Sequence, residues 1–150
     1  MKKIILLLTC CFPFSIWACS CIGEKTVKEE IIASDVVFLG KIIAKKDITI
    51  NDDRDLSGIS SQKMEYTVQV IKMYKGRAIN NTLKIITGLG SGDCGNLFSI
   101  GSEYIIYSTY FDYFYQGKKM DTPYLHTNIC TRTRRSEKKE LKEIIRYLKN

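Results

Sequence analysis

Six cysteines, and where four of them fall, constrain this chain more than any other feature. They are Cys10, Cys11, Cys19, Cys21, Cys94 and Cys130. The first two lie inside "IILLLTCCFPFSIWA", an apolar run that follows Lys2 and Lys3 and ends in a small residue. That is the three-part form of a secretory signal. Cleavage after Ala18 would remove residues 1–18 and leave four cysteines, an even number, in an exported chain. Such a count predicts two disulfides. Four cysteines can pair in three ways. A Cys19–Cys21 bridge would join near neighbours under strain, so each of these two is expected to reach Cys94 or Cys130.

The apolar run is too short, and too interrupted by Pro13 and Ser15, for a membrane span. No second span follows. The mature chain is therefore expected to be secreted, extracellular or periplasmic, without a transmembrane segment. A second reading puts a lipid anchor on Cys19, because a lipoprotein signal also ends in a small residue followed by Cys. Ile16 fits that pattern. Trp17 stands where a small or short aliphatic residue belongs, and acylation would leave three cysteines. Either way the mature chain starts at Cys19. A thioredoxin-like site needs Cys-x-x-Cys, not Cys-x-Cys at a terminus. A zinc site needs two close pairs of ligands, whereas Cys94 and Cys130 are single and His126 is the one histidine. No cofactor is expected.

A chain of 150 residues suits one domain with a sizeable core, here 19–150. The formal net charge of +7 is unevenly spread. Residues 19–131 hold thirteen Lys/Arg and thirteen Asp/Glu, whereas residues 132–150 hold eight and three. The body is neutral and the tail basic. A nucleic-acid interface would recruit the body as well, so no nucleic-acid partner is expected. There is no Ser/His/Asp set, no phosphate-cradling glycine loop and no convincing carboxylate pair. The expectation is a non-enzyme, with His126 structural.

"TVKEEIIAS" pairs Thr26 with Glu29 in a capping box and predicts a short helix. "DVVFLGKIIAKKDI" predicts a long strand bent or bulged at Gly40. Residues 51–62 are polar and aperiodic, an exposed loop. Their acids do not make a calcium loop, since Leu56 replaces the turn glycine and Gln62 the closing glutamate. "KMEYTVQVIKMYKG" alternates Met64, Tyr66, Val68 and Val70 inward, then shifts to Ile71 and Met73, as a bulged strand would. "NTLKIITG", "SEYIIYSTYF" and "YLHTNIC" predict three more strands, with "SGDCGNLFSIG" and "QGKKMDTP" as turns. Leu141, Ile144, Ile145 and Leu148 recur at i, i+3, i+4, i+7, an amphipathic helix with Ser136 as its expected cap. Five strands between two helices predict an all-β fold with flanking helices, fitting a five-stranded OB-fold barrel plus a C-terminal amphipathic helix; a five-stranded sandwich is the competing arrangement. Tyr110 to Tyr115, "YFDYFY", could form a hairpin end or a binding patch.

The order "CSC", "ASDVVFLGKII", "MEYTVQVIKMYKG", "GDCG", "GSEYIIYS" and "HTNIC" resembles the N-terminal, netrin-like domain of tissue inhibitors of metalloproteinases, from Cys19 to about Cys130. The chain looks like a bacterial-type, single-domain relative, expected to be a monomer. The resemblance implies the barrel and the pairs Cys19–Cys94 and Cys21–Cys130. Loops this long would each stabilise by roughly 4 kcal/mol in the chain-entropy model. It also implies a secreted inhibitor of a zinc metalloprotease. The α-amino group and carbonyl of Cys19 would chelate the protease zinc in trans. Ser20 would enter the adjacent specificity pocket, Cys21 and Ile22 would continue the edge, and Asp93, Cys94 and Gly95 would complete the contact ridge. Gly23 stands where the family often has Pro, and the second, cysteine-rich domain and third bridge of the animal inhibitors are missing. The alternative is a netrin-like binding module for an envelope or extracellular partner other than a protease.

Overall fold

The computed structural model describes residues 19–51, 60–90, 92–113 and 119–149. The expected signal, residues 1–18, lies outside them, as does most of the expected loop at 52–59. Two helices and six strands follow one another: α1 (Val27–Ala33), β1 (Val36–Asn51), β2 (Ser60–Lys75), β3 (Thr82–Thr87), β4 (Glu103–Tyr113), β5 (Lys119–His126), β6 (Arg134–Arg135) and α2 (Lys138–Leu148).

β1 and β2 form a long antiparallel hairpin, β2 pairs with β3, and β4 pairs with both β1 and β5. A short parallel seam, Ile85 with Leu125 and Ile86 with His126, joins β3 to β5. The pairings thus run β1-β2-β3-β5-β4 and back to β1, a closed ring of five strands. Within the ring, residues 37–41 of β1 and 64–69 of β2 are paired on both sides, which shortens the free edges that would otherwise invite pairing with another chain. β6 is a two-residue addition along β4 that alternation in the sequence did not signal.

The continuous apolar runs of β1 and β4 follow from covering both faces, since successive side chains point to opposite sides. Val36, Phe38, Tyr104 and Ile106 turn into the ring with Ile42, Tyr66, Val68, Ile85 and Leu125. Val37, Ile105 and Tyr107 turn outward, where α1 supplies Val27 and Ile31 and α2 supplies Ile144. Phe98, from the β3–β4 connection, plugs the ring. It packs edge-on between Tyr66 and Tyr104, with centroids 4.9 and 4.8 Å away. Burying each such side chain is worth about 1.5–3 kcal/mol.

The register shifts at Leu39/Gly40, as the glycine suggested. A Cβ on Gly40 would meet the Val68 and Phe38 side chains, so only glycine allows the strands to approach there. The extra residue of that bulge is Ile71 on β2. It is therefore exposed rather than inward, while Met64, Val70 and Met73 pack on the core. The Thr26–Glu29 capping box forms as expected.

Three other expectations need correction. β5 begins at Lys119, inside the expected "QGKKMDTP" turn, and ends at His126, so Thr127–Cys130 form a turn. The N-cap of α2 is Glu137 and not Ser136, whose amide instead donates to the Glu103 carbonyl. Leu148 stays 45% exposed, because Ile144 with Leu141 and Tyr147 fills the inward face of α2.

Candidate functional site

The segment before α1 packs almost nothing into either core: residues 20–26 are all exposed. Two covalent anchors position it. Cys19 is bonded to Cys94 and Cys21 to Cys130, with Cα atoms 5.5 and 5.2 Å apart. Ser20 sits between the anchors. After Cys21 the chain turns at Gly23, whose amide donates to the Cys21 carbonyl at 3.1 Å and whose φ of 67° suits glycine. Ile22, at the crest, is fully exposed.

The partner loop is built around Asp93. Its carboxylate accepts hydrogen bonds from the amides of Leu89 (2.7 Å), Gly90 (2.9 Å) and Gly95 (3.3 Å). Lys63 lies 4.0 Å away. Burial pushes this carboxyl up, but the three amides and Lys63 outweigh it and hold the group below the usual carboxylate range. Cys94 adopts φ 57°, the one non-glycine with positive φ among the described residues. Such a conformation persists only where its surroundings enforce it, and the Asp93 bonds on either side do so. Gly95 lies against the Gly88 main chain, where any Cβ would collide. Local chemistry thus explains "GDCG": Asp93 organises the loop, Cys94 carries the bridge, and Gly95 lets two backbones touch.

The Cys94 carbonyl accepts the Ile129 amide at 2.9 Å, and Asn128 Oδ1 accepts the Cys130 amide at 2.9 Å. Both bridges therefore end in one patch. The structure brings Cys19, Ser20, Cys21, Ile22, Asp93, Cys94 and Gly95 together, with Ser20 and Ile22 exposed and the Asp93 carboxylate turned onto its own loop.

A second cluster supports this ridge from behind. Arg132, two residues beyond Cys130, grips Glu140 of α2 through Nε–Oε1 (2.9 Å) and Nη2–Oε2 (2.6 Å). Tyr107 donates to the same carboxylate at 2.7 Å. Arg132 Nη1 donates to the Lys25 carbonyl at 2.7 Å, and Glu24 receives both Arg132 and Arg134. Burial would raise the Glu140 carboxyl, but Arg132 and Tyr107 hold it below its usual range. Burial, reinforced by Glu140, pushes the Tyr107 phenol far up, so it remains a donor. This cluster ties α2, β4 and the segment after the ridge into one unit. Sequence reading missed it: Arg132 and Glu140 look like ordinary members of a basic tail, and only the burial of Glu140 to 3% exposure marks them.

His126 is half-buried against Phe111, centroids 6.0 Å apart, and Phe111 also stacks on Tyr124. Burial and then Lys63 lower its pKa. Tyr110 and Phe111 are partly exposed; the side chains of 112–115 lie outside the description. Among the described residues no group of three or more His, Cys, Asp and Glu is placed to hold a metal ion, and no helix is long and apolar enough to cross a membrane.

What the ridge offers chemically is Cys19 tied to its neighbouring loop by a disulfide, the exposed Ser20 and Ile22, and a loop whose amides are gathered on the Asp93 carboxylate. The family model for tissue inhibitor of metalloproteinase matches residues 17–138. That span takes in all four bonded cysteines, the six strands and α1, and stops where α2 begins. No curated protein matches the chain. With most of its length covered by that match, the chain belongs to the tissue inhibitor of metalloproteinase family.

Proposed function

We propose that the protein is an exported inhibitor of zinc metalloendopeptidases that binds the target's zinc through the amine and carbonyl of Cys19. Membership of the family supports metalloproteinase inhibition in general. The clamped Cys19 supports the finer reading. A catalytic zinc keeps one position for water. An amine and carbonyl in a five-membered chelate displace that water and with it the nucleophile. The amine donates only when neutral, and a terminal amine titrates near 8, so a usable fraction is free at neutral pH. The Cys19–Cys94 bridge fixes the donor pair before binding, which reduces the entropy lost on association. Ser20 then faces the pocket beside the zinc, and Ile22 extends the contact along the cleft. Asp93, Cys94 and Gly95 form the second wall, with Asp93 holding the loop's shape. Two disulfides fit the oxidising setting in which such an inhibitor acts.

The experiment is a one-residue extension. The mature chain starting at Cys19 and a form with one Ala ahead of it are titrated against a panel of zinc endopeptidases. Loss of inhibition by the extended form, with unchanged thermal unfolding and both disulfides intact by mass, supports chelation. Equal inhibition by the two forms rejects it.

A further inference from the structure

Helix α2 lies almost wholly beyond the residues matched by the family. Its inner face is fully used: Ile144 is buried in the second core and Glu140 is gripped by Arg132 and Tyr107. At 100° per residue, Lys139, Lys142, Arg146 and the C-cap Lys149 recur at i, i+3, i+7 and i+10 on the opposite side. All four are exposed, and so is Lys138 beside them. The stripe runs about 15 Å, at 1.5 Å per residue. Of the acids of this region, Glu140 faces the core, Glu143 borders the stripe beside Lys139 and Arg146, and the exposed Glu137 stands at the N-cap, so cations outnumber acids on the outer face.

Helix electrostatics do not account for the stripe. Arg146 and Lys149 suit the negative C-terminal end, but Lys138 and Lys139 occupy the first turn, where the macrodipole disfavours cations. Nor do they serve the fold, since none of the five makes an ion pair among the described residues. Leu148, at the C-terminal end of the helix about 100° round from Lys149, is 45% exposed, and α1, in contact with α2, exposes Ile32 and Lys28. A cationic helix face with exposed apolar side chains at its margins suits a lipid headgroup region better than a water-soluble polyanion.

We propose that the outer face of α2 is a docking surface for an anionic phospholipid membrane. It holds the domain at a lipid surface through Lys138, Lys139, Lys142, Arg146 and Lys149, while the core locks the helix from behind. Each Lys or Arg near such a surface contributes about 1 kcal/mol, close to fivefold in partitioning.

The test is sedimentation of the mature chain with vesicles containing about a third phosphatidylglycerol, against purely zwitterionic phosphatidylcholine vesicles. Binding to the anionic vesicles alone, weakening steeply with salt, is expected. K139E/K142E/R146E should reduce it by on the order of 10²-fold. K41E/K45E/K46E makes the same charge change on exposed lysines of β1 and should reduce it far less. Circular dichroism and the unfolding midpoint check that both triple variants fold. Equal loss in the two variants assigns the effect to net charge and overturns the proposal. Equal binding to zwitterionic vesicles, or binding to dextran sulfate with none to anionic vesicles, also overturns it.

Discussion

Replacing Glu140 by Gln removes one negative charge from the junction of three elements and almost no volume. The carboxylate is 3% exposed and accepts three hydrogen bonds, two from Arg132 and one from Tyr107. Stranding one member of a buried ion pair costs about 3–5 kcal/mol. Arg132 keeps the Lys25 carbonyl at 2.7 Å and the exposed Glu24 at 3.3 Å, which places the loss at the lower end, about 3 kcal/mol. For a domain of this size, each kcal/mol shifts the melting point by roughly 3 °C, so E140Q should melt roughly 10 °C lower at pH 7. The pH dependence has a defined sign. Glu140 has a folded pKa depressed below its unfolded value. Its contribution is therefore complete above the unfolded pKa, about 4.3, and is lost as pH falls through the lower folded value. The gap between wild type and E140Q should narrow steadily below about pH 4. The assay is thermal unfolding of both oxidised proteins from pH 7 down to 2. A gap under 1 kcal/mol at pH 7, or one that persists unchanged at pH 2, would refute the clamp. The double variant R132M/E140L strands no charge and should lose less than the sum of its single variants.

Other outcomes follow from the same structure. C21A/C130A removes the cross-link closing 109 residues, which should lower stability by about 4–5 kcal/mol in urea titrations while leaving Cys19–Cys94 bonded. D93A strips the acceptor from three loop amides and should cost about 1–2 kcal/mol. If Asp93 shapes the inhibitory loop, D93A should also weaken protease inhibition by at least tenfold, and an unchanged inhibition constant would limit its role to stability. G40A drives a methyl into Val68 and Phe38 and should cost about 1–3 kcal/mol by calorimetry.

Much of the ring was legible because its signals are local. The Thr26–Glu29 box lies within one helical turn, and the bend at Gly40 interrupts an otherwise continuous apolar strand. Residue order alone did not decide which way Ile71 points, since a bulge exchanges the faces of a strand and its register depends on the partner. The end of β5 was misplaced for a related reason. The alternation in "YLHTNIC" is weak evidence beside the tertiary arrangement in which Asn128 Oδ1 accepts the Cys130 amide and the Ile129 amide donates to the Cys94 carbonyl. Ser136 has the chemistry of a cap, but its amide donates to the Glu103 carbonyl and continues the β6–β4 pairing, so the helix starts one residue later, with Glu137 at the N-cap.

By itself the sequence determined the alternation that makes strands, the four cysteines left after the apolar run, and a tail whose cations fall on one side of a helix. Each is a relation between residues a few positions apart, or a simple count. The tertiary structure decided which cysteines are neighbours and that Glu140 of α2 meets Tyr107 of β4. These outcomes depend on closing the ring through β3–β5 and β1–β4. Only that closure brings residues 33 to 109 positions apart within hydrogen-bond or covalent reach, and only burial turns an ordinary charged side chain into a clamp.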